Sequence, residues 1–163
     1  MRVLYGIEAD QAMSHILYAA GLAQSAACLR SRCGSVIVDA GQRIGSGVNA
    51  PPAGLVSQQR CLRRQELATG FKSDTTCCIH AEQRAVMDAL RHYPDQVPGS
   101  RLYFIRLDAS GRPRIAGQPY CTHCSKLALD VGIAEFVLWQ AAGITVYDTV
   151  EYNDLSYAWA PGG

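Results

Sequence analysis

Residues 77–86, CCIHAEQRAV, and residues 119–124, PYCTHC, decide how this chain folds and what it can bind. Each stretch opens a run of apolar residues at the spacing of a helix. His80, Cys121 and Cys124 supply one imidazole and two thiolates, which are ligand types that zinc prefers. Since three protein ligands leave a tetrahedral zinc one position for water, the sequence predicts a single catalytic Zn²⁺ ion.

Glu82 is the candidate for proton transfer at this ion. It follows His80 by two residues, which is too close to reach the same ion easily but well placed beside a bound water, so it is predicted to be the general acid/base. Taken alone, a C-x-x-C is also typical of a redox pair or of half a structural zinc site, and an acidic residue at a helix start is commonly a cap. The order and separation of the two motifs favour the catalytic interpretation.

The composition is that of an ordinary globular domain. The chain has 163 residues, of which 48% are hydrophobic and 18% charged, with a formal net charge of +1. We expect a single domain over 1–163, with a core over about 9–147 and a C-terminal tail over 148–163. A net charge near zero does not favour a protein that grips long nucleic acid. The chain has neither an apolar run of membrane-spanning length nor a signal-peptide pattern, so we expect a cytoplasmic protein without membrane contact.

Apolar periodicity and turn residues predict the order helix, hairpin, helix, strand, helix, strand, strand. The helices are expected over 9–29, 80–91 and 121–131, with a further short one considered over 58–67, and the strands over 34–38, 43–48, 101–107, 134–139 and 143–147. This order suits an α/β domain built around a mixed sheet. Gly45 and Gly47 would weaken an ordinary strand, so they predict that another backbone or a ligand comes close there.

Beyond the zinc motifs, the chain resembles the cytidine and deoxycytidylate deaminase superfamily, in particular its deoxycytidylate deaminase branch. The similar stretches are residues 25–30, 34–38 and 43–54 and the cysteine-bearing segments 61–64 and 77–78. H-x-E with P-C-x-x-C is the signature of the zinc nucleobase deaminases. Here Tyr120 stands between the proline and the first cysteine. The likeness covers about residues 12 to 140.

The resemblance implies a three-layer α/β/α fold with a mixed five-stranded sheet, as in cytidine deaminases. It also implies a homo-oligomer, because members of the family are commonly oligomeric. The residue roles that it implies are zinc binding by His80, Cys121 and Cys124, proton transfer by Glu82, and substrate contact by Asn49 and the backbone around Ala81.

Tyr120 is a further candidate for substrate contact, because it could stack on a base, although simple packing explains it equally well. The chain also departs from the family in the long loop 108–118 and in the segment after residue 147. These departures flank the expected pocket, so they bear on the choice of substrate.

The predicted function is that of a hydrolase acting on a cyclic amidine. It would convert the amino group of cytosine in a small nucleotide or nucleoside to a carbonyl and release ammonia, with dCMP to dUMP as the first choice. One alternative is a deaminase acting on a base in RNA or single-stranded DNA, and another is a guanine- or adenine-type purine deaminase. A third is an inactive, zinc-stabilised binding module in which Glu82 only caps a helix.

A second, structural zinc ion is a separate hypothesis. Cys61, Cys77, Cys78 and His92 include enough donor atoms for one. Their irregular spacing favours the alternative that they are reduced, partly buried residues.

Overall fold

The computed structural model describes residues 1–28, 30–59 and 77–159. The α-helices in these ranges are α1 (Gly6–Ala23), α2 (Ala81–His92), α3 (Thr122–Asp130) and α4 (Thr149–Ala158). The strands are β1 (Arg2–Val3), β2 (Cys33–Asp39), β3 (Gln42–Val48), β4 (Arg101–Leu107), β5 (Pro113–Arg114), β6 (Glu135–Gln140) and β7 (Gly143–Asp148). None of the helices in the described part of the chain is long and apolar enough to cross a membrane.

The described strands form one mixed sheet in the order β1-β7-β6-β4-β2-β3, with β5 paired to β4. Strands β4 and β6 run parallel, and the other neighbours run antiparallel. The predicted α/β fold with a mixed sheet is confirmed. The sheet has 7 strands rather than five, because β1 and β5 are two residues long and too short to show an alternating pattern.

Alternation along β4 divides the core into two layers. Leu102 and Phe104 pack with α2 and α3 on one face of the sheet, whereas Tyr103 and Ile105 pack with α1 on the other. Helix α1 buries the small apolar residues that the sequence placed on one face, namely Ala12, Ile16, Ala19, Ala20 and Ala23. Hence the fold has the predicted three layers.

Helix α1 ends at Ala23, six residues before the predicted end at 29. The hydroxyl of Ser25 donates to the carbonyl oxygen of Leu22 at 2.7 Å, and such a local side-chain bond competes with continuation of a helix. The short helix considered over 58–67 lies almost wholly outside the described residues.

Helix α2 lies directly on β3. A Cβ atom at Gly45 would come within 2.5 Å of the carbonyl oxygen of Ala85, and one at Gly47 within 2.3 Å of that of Ala81. The close backbone approach predicted at these two glycines is therefore confirmed, and the approaching backbone is that of α2. This packing fixes the position of the first turn of α2 over the sheet.

The segment predicted as a tail contains helix α4. The carboxylate of Asp148 accepts a hydrogen bond from the backbone N–H of Val150 at 2.9 Å and so caps the helix. Tyr152 is buried and stacks on Phe136, with ring centroids 3.9 Å apart. The sequence carried a signal for this helix, because Asp148 is followed three residues later by Glu151, as in a capping box.

Candidate metal centre and active site

Three predicted ligands converge where two helices begin. His80 immediately precedes α2, Cys121 immediately precedes α3, and Cys124 lies in the first turn of α3. The Nδ1 atom of His80 is 3.4 Å from the Sγ atom of Cys121 and 3.3 Å from that of Cys124, and the two sulfurs are 2.9 Å apart. Both cysteines are buried and His80 is partly buried. The structure thus brings the two distant motifs together.

This triad fits a zinc ion in both chemistry and size. Zn–S bonds of about 2.3 Å and Zn–N bonds of about 2.0 Å in a tetrahedron require S···S and S···N separations of about 3.8 Å and about 3.5 Å. The two S···N distances, 3.3 and 3.4 Å, already agree with this geometry. The sulfurs, at 2.9 Å, would have to separate by about 0.9 Å. Three ligands also leave the fourth position open.

The surroundings favour negative charge at the triad. Helices α2 and α3 both begin there, and the N-terminus of a helix carries a partial positive charge. The hydrogen bond with Cys124 lowers the pKa of Cys121, and the interaction with His80 lowers it further. The thiolate is the form of cysteine that binds metal. The lowered pKa of Cys121 therefore favours the form that can act as a ligand.

Glu82 lies in the first turn of α2 and is 6% exposed. Burial raises the pKa of its carboxyl group to about 7, and the negative charge of Cys121 adds to the shift while His80 opposes it. A carboxyl group with such a pKa exchanges protons readily near neutral pH. Its position two residues after His80 places that exchange beside the triad.

Asn49 is held close to the segment that leads into His80. The next residue, Ala50, forms an isolated antiparallel bridge with Ile79. The Asn49 side chain is buried, accepts from the backbone N–H of Cys33 at 2.8 Å and donates to the carbonyl oxygen of Ser31 at 2.6 Å. These bonds fix the amide beside the start of β2 and leave one N–H of its NH₂ group for another partner.

Ala81 and Tyr120, the other predicted substrate contacts, flank the triad in the chain. Ala81 is fully buried at the first position of α2. Tyr120 is 42% exposed, and its hydroxyl oxygen accepts a hydrogen bond from Arg106 at 2.5 Å. The Tyr120 ring also contacts Trp159, with centroids 5.7 Å apart, so it forms part of an aromatic surface beside Cys121.

Arg106 is a residue of this site that the sequence analysis overlooked. Alternation with Leu102 and Phe104 turns its side chain towards the layer of α2 and α3, and it lies near the carboxyl end of β4. A charged residue at an inward position of a buried strand breaks the expected pattern. That break is the signal that could have identified it.

Two of the residues considered for a second zinc ion, Cys77 and Cys78, lie close together. The Sγ atoms of Cys77 and Cys78 are 3.8 Å apart, and Cys61 lies outside the described residues. His92 is the last residue of α2, 12 residues long, so the helix separates it from Cys78 by about 18 Å. His92 therefore cannot share an ion with Cys78, and its inclusion in that set is corrected.

A cavity of about 470 Å³ opens elsewhere, along the edge of β3. Ser46, Arg84 and Arg91 are among its lining residues. The triad and Glu82 do not line it, so this cavity is distinct from the candidate active site.

Comparison with known proteins agrees with this geometry. Residues 7–140 match the family model described as the cytidine and deoxycytidylate deaminase zinc-binding region. The chain is similar in structure to the dCMP deaminase from the cyanophage S-TIM5 in complex with dCMP and dUMP, with 21% sequence identity, a TM-score of 0.56 and 82% of each chain covered. For the apo form of that enzyme the values are 20%, 0.54, and 78% of this chain and 80% of the other. No similar sequence is found among curated proteins.

The family model and the donor set indicate the same metal. The matched region is a zinc-binding one, and the one group of metal-binding side chains found among the described residues is His80, Cys121 and Cys124. Zn²⁺ is therefore the cofactor.

Proposed function

The chain belongs to the cytidine and deoxycytidylate deaminase family, and from this premise we propose that it hydrolyses dCMP to dUMP and ammonia. The main observation that supports the proposal is that the two motifs bearing the zinc ligands meet at one place in the structure. His80, Cys121 and Cys124 meet at the start of two helices, and a buried carboxyl group, Glu82, lies beside them.

The roles of the residues follow from their chemistry. His80, Cys121 and Cys124 would hold the zinc ion, which lowers the pKa of a bound water from 15.7 to about 7. Glu82 takes a proton from the attacking water and delivers it to the ring nitrogen of cytosine. It then transfers the second proton of the water to the departing amino group. The bond between the ring carbon and this nitrogen breaks, ammonia leaves, and a carbonyl remains.

Three further residues are proposed to contact the substrate. Asn49 has one amide N–H left for a sugar or base oxygen after its bonds to Cys33 and Ser31. The backbone around Ala81 lies at the start of α2, where N–H groups lack helical partners. Tyr120 presents a partly exposed ring, which could stack on the base.

A small nucleotide is favoured over a nucleic acid strand. The formal net charge of +1 does not suit a protein that depends on many phosphate contacts. The cyanophage enzyme of similar fold was solved with dCMP and dUMP, which makes this pair the first to test.

The experiment is an ammonia-release screen of the zinc-loaded protein. The panel contains cytosine, cytidine, deoxycytidine, dCMP, dCTP, guanine, guanosine, adenosine and short single strands of DNA and RNA. We expect turnover of dCMP. Turnover of strands alone, or of a purine alone, would replace the proposed substrate, and silence across the panel in protein with equimolar zinc would contradict the enzyme itself.

A further inference from the structure

The side chain of Arg84 reaches from α2 to the turn that follows β3. One terminal nitrogen of its guanidinium group, Nη2, donates to the carbonyl oxygen of Pro51 at 2.8 Å and to that of Ala50 at 3.4 Å. Hydrogen bonds from a charged donor are stronger than those between neutral groups. The guanidinium group therefore attaches two successive residues of this turn to the helix.

The position of Arg84 is also fixed at the base of its side chain. A Cβ atom at Gly47 would come within 2.7 Å of the Cβ atom of Arg84, so this part of the helix lies against β3. The Nε atom of Arg84 is buried and has no hydrogen-bond partner among the described residues. Leaving a buried donor unpaired is unfavourable, and the two bonds at the far end of the side chain offset that cost.

The turn that Arg84 holds follows Asn49 directly. Ala50 pairs with Ile79 in both directions, because the N–H of Ala50 donates to Ile79 at 3.3 Å and the N–H of Ile79 donates to Ala50 at 2.9 Å. Pro51 has no backbone N–H and cannot extend this pairing. At that point the donor is Arg84, so the helix takes over where the backbone pairing stops.

Asn49 is consequently held from two sides. Its side chain is bonded to Cys33 and Ser31 at the start of β2, and the residues that follow it are bonded to Arg84. Arg84 lies two residues after Glu82 on α2. The turn that begins at Asn49 and the carboxyl group proposed for proton transfer are therefore attached to the same part of one helix.

We infer that Arg84 is a positioning residue, which holds residues 50 and 51 on α2 so that the remaining amide N–H of Asn49 stays directed at the substrate. Catalysis requires that binding and reacting groups keep a fixed relation, and a displacement of about 1 Å can lower the rate about 100-fold. This inference rests on the proposed function, since it takes Asn49 as a substrate contact. Arg84 itself acts through the turn and binds neither the substrate nor the metal.

The first test measures hydrogen exchange by NMR in zinc-loaded protein without ligand. Arg84→Met keeps the aliphatic stem and removes both hydrogen bonds, so the backbone N–H of Ala50 should exchange about 10- to 100-fold faster. Arg84→Lys can still donate to the carbonyl oxygens and should restore most of the protection. Arg91→Met is the matched control, because this exposed arginine of α2 lines the same cavity and should leave the exchange unchanged. Unchanged exchange at Ala50 in Arg84→Met would overturn the inference.

The second test asks by isothermal titration calorimetry whether Arg84 acts through Asn49. Arg84→Met should weaken binding of dUMP about 10-fold in the wild-type background and less than about twofold in protein that already carries Asn49→Ala. An equal loss in both backgrounds would overturn the inference, since Arg84 would then act without Asn49. If the wild-type protein did not bind dUMP, the proposed substrate would be rejected, and the exchange measurement would still decide the role of Arg84.

Discussion

The chemistry of the Glu82 side chain depends strongly on its surroundings. On a protein surface a glutamate has a pKa near 4.3, whereas burial and the charge of Cys121 raise the pKa of Glu82 to about 7. The same carboxyl group is thus a weaker acid and a stronger base than an exposed one. Proton transfer needs such a group, and a simple helix cap does not.

Replacing Glu82 by glutamine should abolish turnover while keeping the metal. The amide has nearly the same size but cannot take a proton, so we expect kcat to fall by a factor of about 100 to 10,000. Zinc content, measured by atomic absorption, should stay equimolar because Glu82 is not one of the three ligands. Glu151→Gln on α4 serves as the control and should keep full activity. Near wild-type turnover in the Glu82 variant would refute the proton-transfer role.

At the residue scale, the sequence predicted those residues whose type and spacing are limited by the chemistry of zinc binding. His80, Cys121 and Cys124 could be identified because few side chains bind zinc and their spacing in each motif is short. The pairing of Arg106 with Arg114 could not be predicted, because it depends on the register of a strand only two residues long. No pattern in the sequence specifies that pairing.

At the scale of the elements, helix α2 packs closely against strand β3. Its first two turns lie over Gly45 and Gly47 at distances that leave no room for a Cβ atom. The same first turn carries Glu82 and follows His80. The position of the site therefore depends on two glycines of the neighbouring strand.

Gly47→Ala should destabilise the fold and displace the site. The new Cβ would lie 2.3 Å from the carbonyl oxygen of Ala81 and 2.5 Å from the backbone nitrogen of Ala85, so α2 must move. We expect the free energy of unfolding to fall by about 3 kcal/mol, measured by urea denaturation.

Gly21→Ala provides the matched comparison for this change. Gly21 lies in α1 with no atom within 4 Å of the new Cβ, and alanine stabilises a helix relative to glycine. The free energy of unfolding should rise by about 0.5–1 kcal/mol. Equal effects of the two substitutions would show that α2 does not pack on Gly47 as described.

The loop that begins at Asp108 offers a prediction on pH. Hydrogen bonds from the Ser110 hydroxyl and the Arg112 backbone N–H lower the pKa of Asp108 to about 2. Because this pKa lies below the unfolded value of about 3.9, the contribution of Asp108 to stability is complete above pH 4 and is lost as pH falls through about 2. Carbon NMR of the carboxyl group should give a midpoint near 2.

Ser110→Ala removes the largest of these hydrogen bonds. The midpoint of Asp108 in this variant should move up towards the ordinary value of about 3.9. A wild-type midpoint already near 4 would contradict the loop structure.

Helices and strands could be predicted where their apolar pattern extends over several residues. Helices α2 and α3 and the strands of six or seven residues were predicted to within two residues of their ends, because each carries a clear apolar period. Helix α4 was missed because its buried residues are aromatic and polar, Tyr152 and Ser156, rather than a run of aliphatic ones. The sequence also placed the end of α1 six residues too far, since alanines at 26 and 27 continue the helical pattern beyond the Ser25 turn.

On the scale of the whole molecule, the triad joins two distant parts of the chain. His80 comes from the segment after the first hairpin, and Cys121 and Cys124 come from beyond β4 and β5. A zinc ion held by all three links the beginnings of α2 and α3. Metal binding should therefore contribute to folding as well as to chemistry.

Removing zinc should lower the melting temperature of the protein. At a free zinc concentration 100 times the dissociation constant, binding stabilises the folded state by about 2.7 kcal/mol, which for a chain of this size corresponds to roughly 5–10 °C. We expect that decrease by calorimetry after chelation, and full recovery when one equivalent of zinc is returned.

Two histidines at opposite ends of α2 make this test specific. His80→Ala removes a ligand, so this variant should bind zinc weakly and melt at the same temperature with and without chelator. His92→Ala replaces the histidine at the other end of the helix. This variant should keep the full decrease in melting temperature on chelation. If His80→Ala responded to chelator as strongly as His92→Ala, the ion that links α2 and α3 would have to be held by other residues.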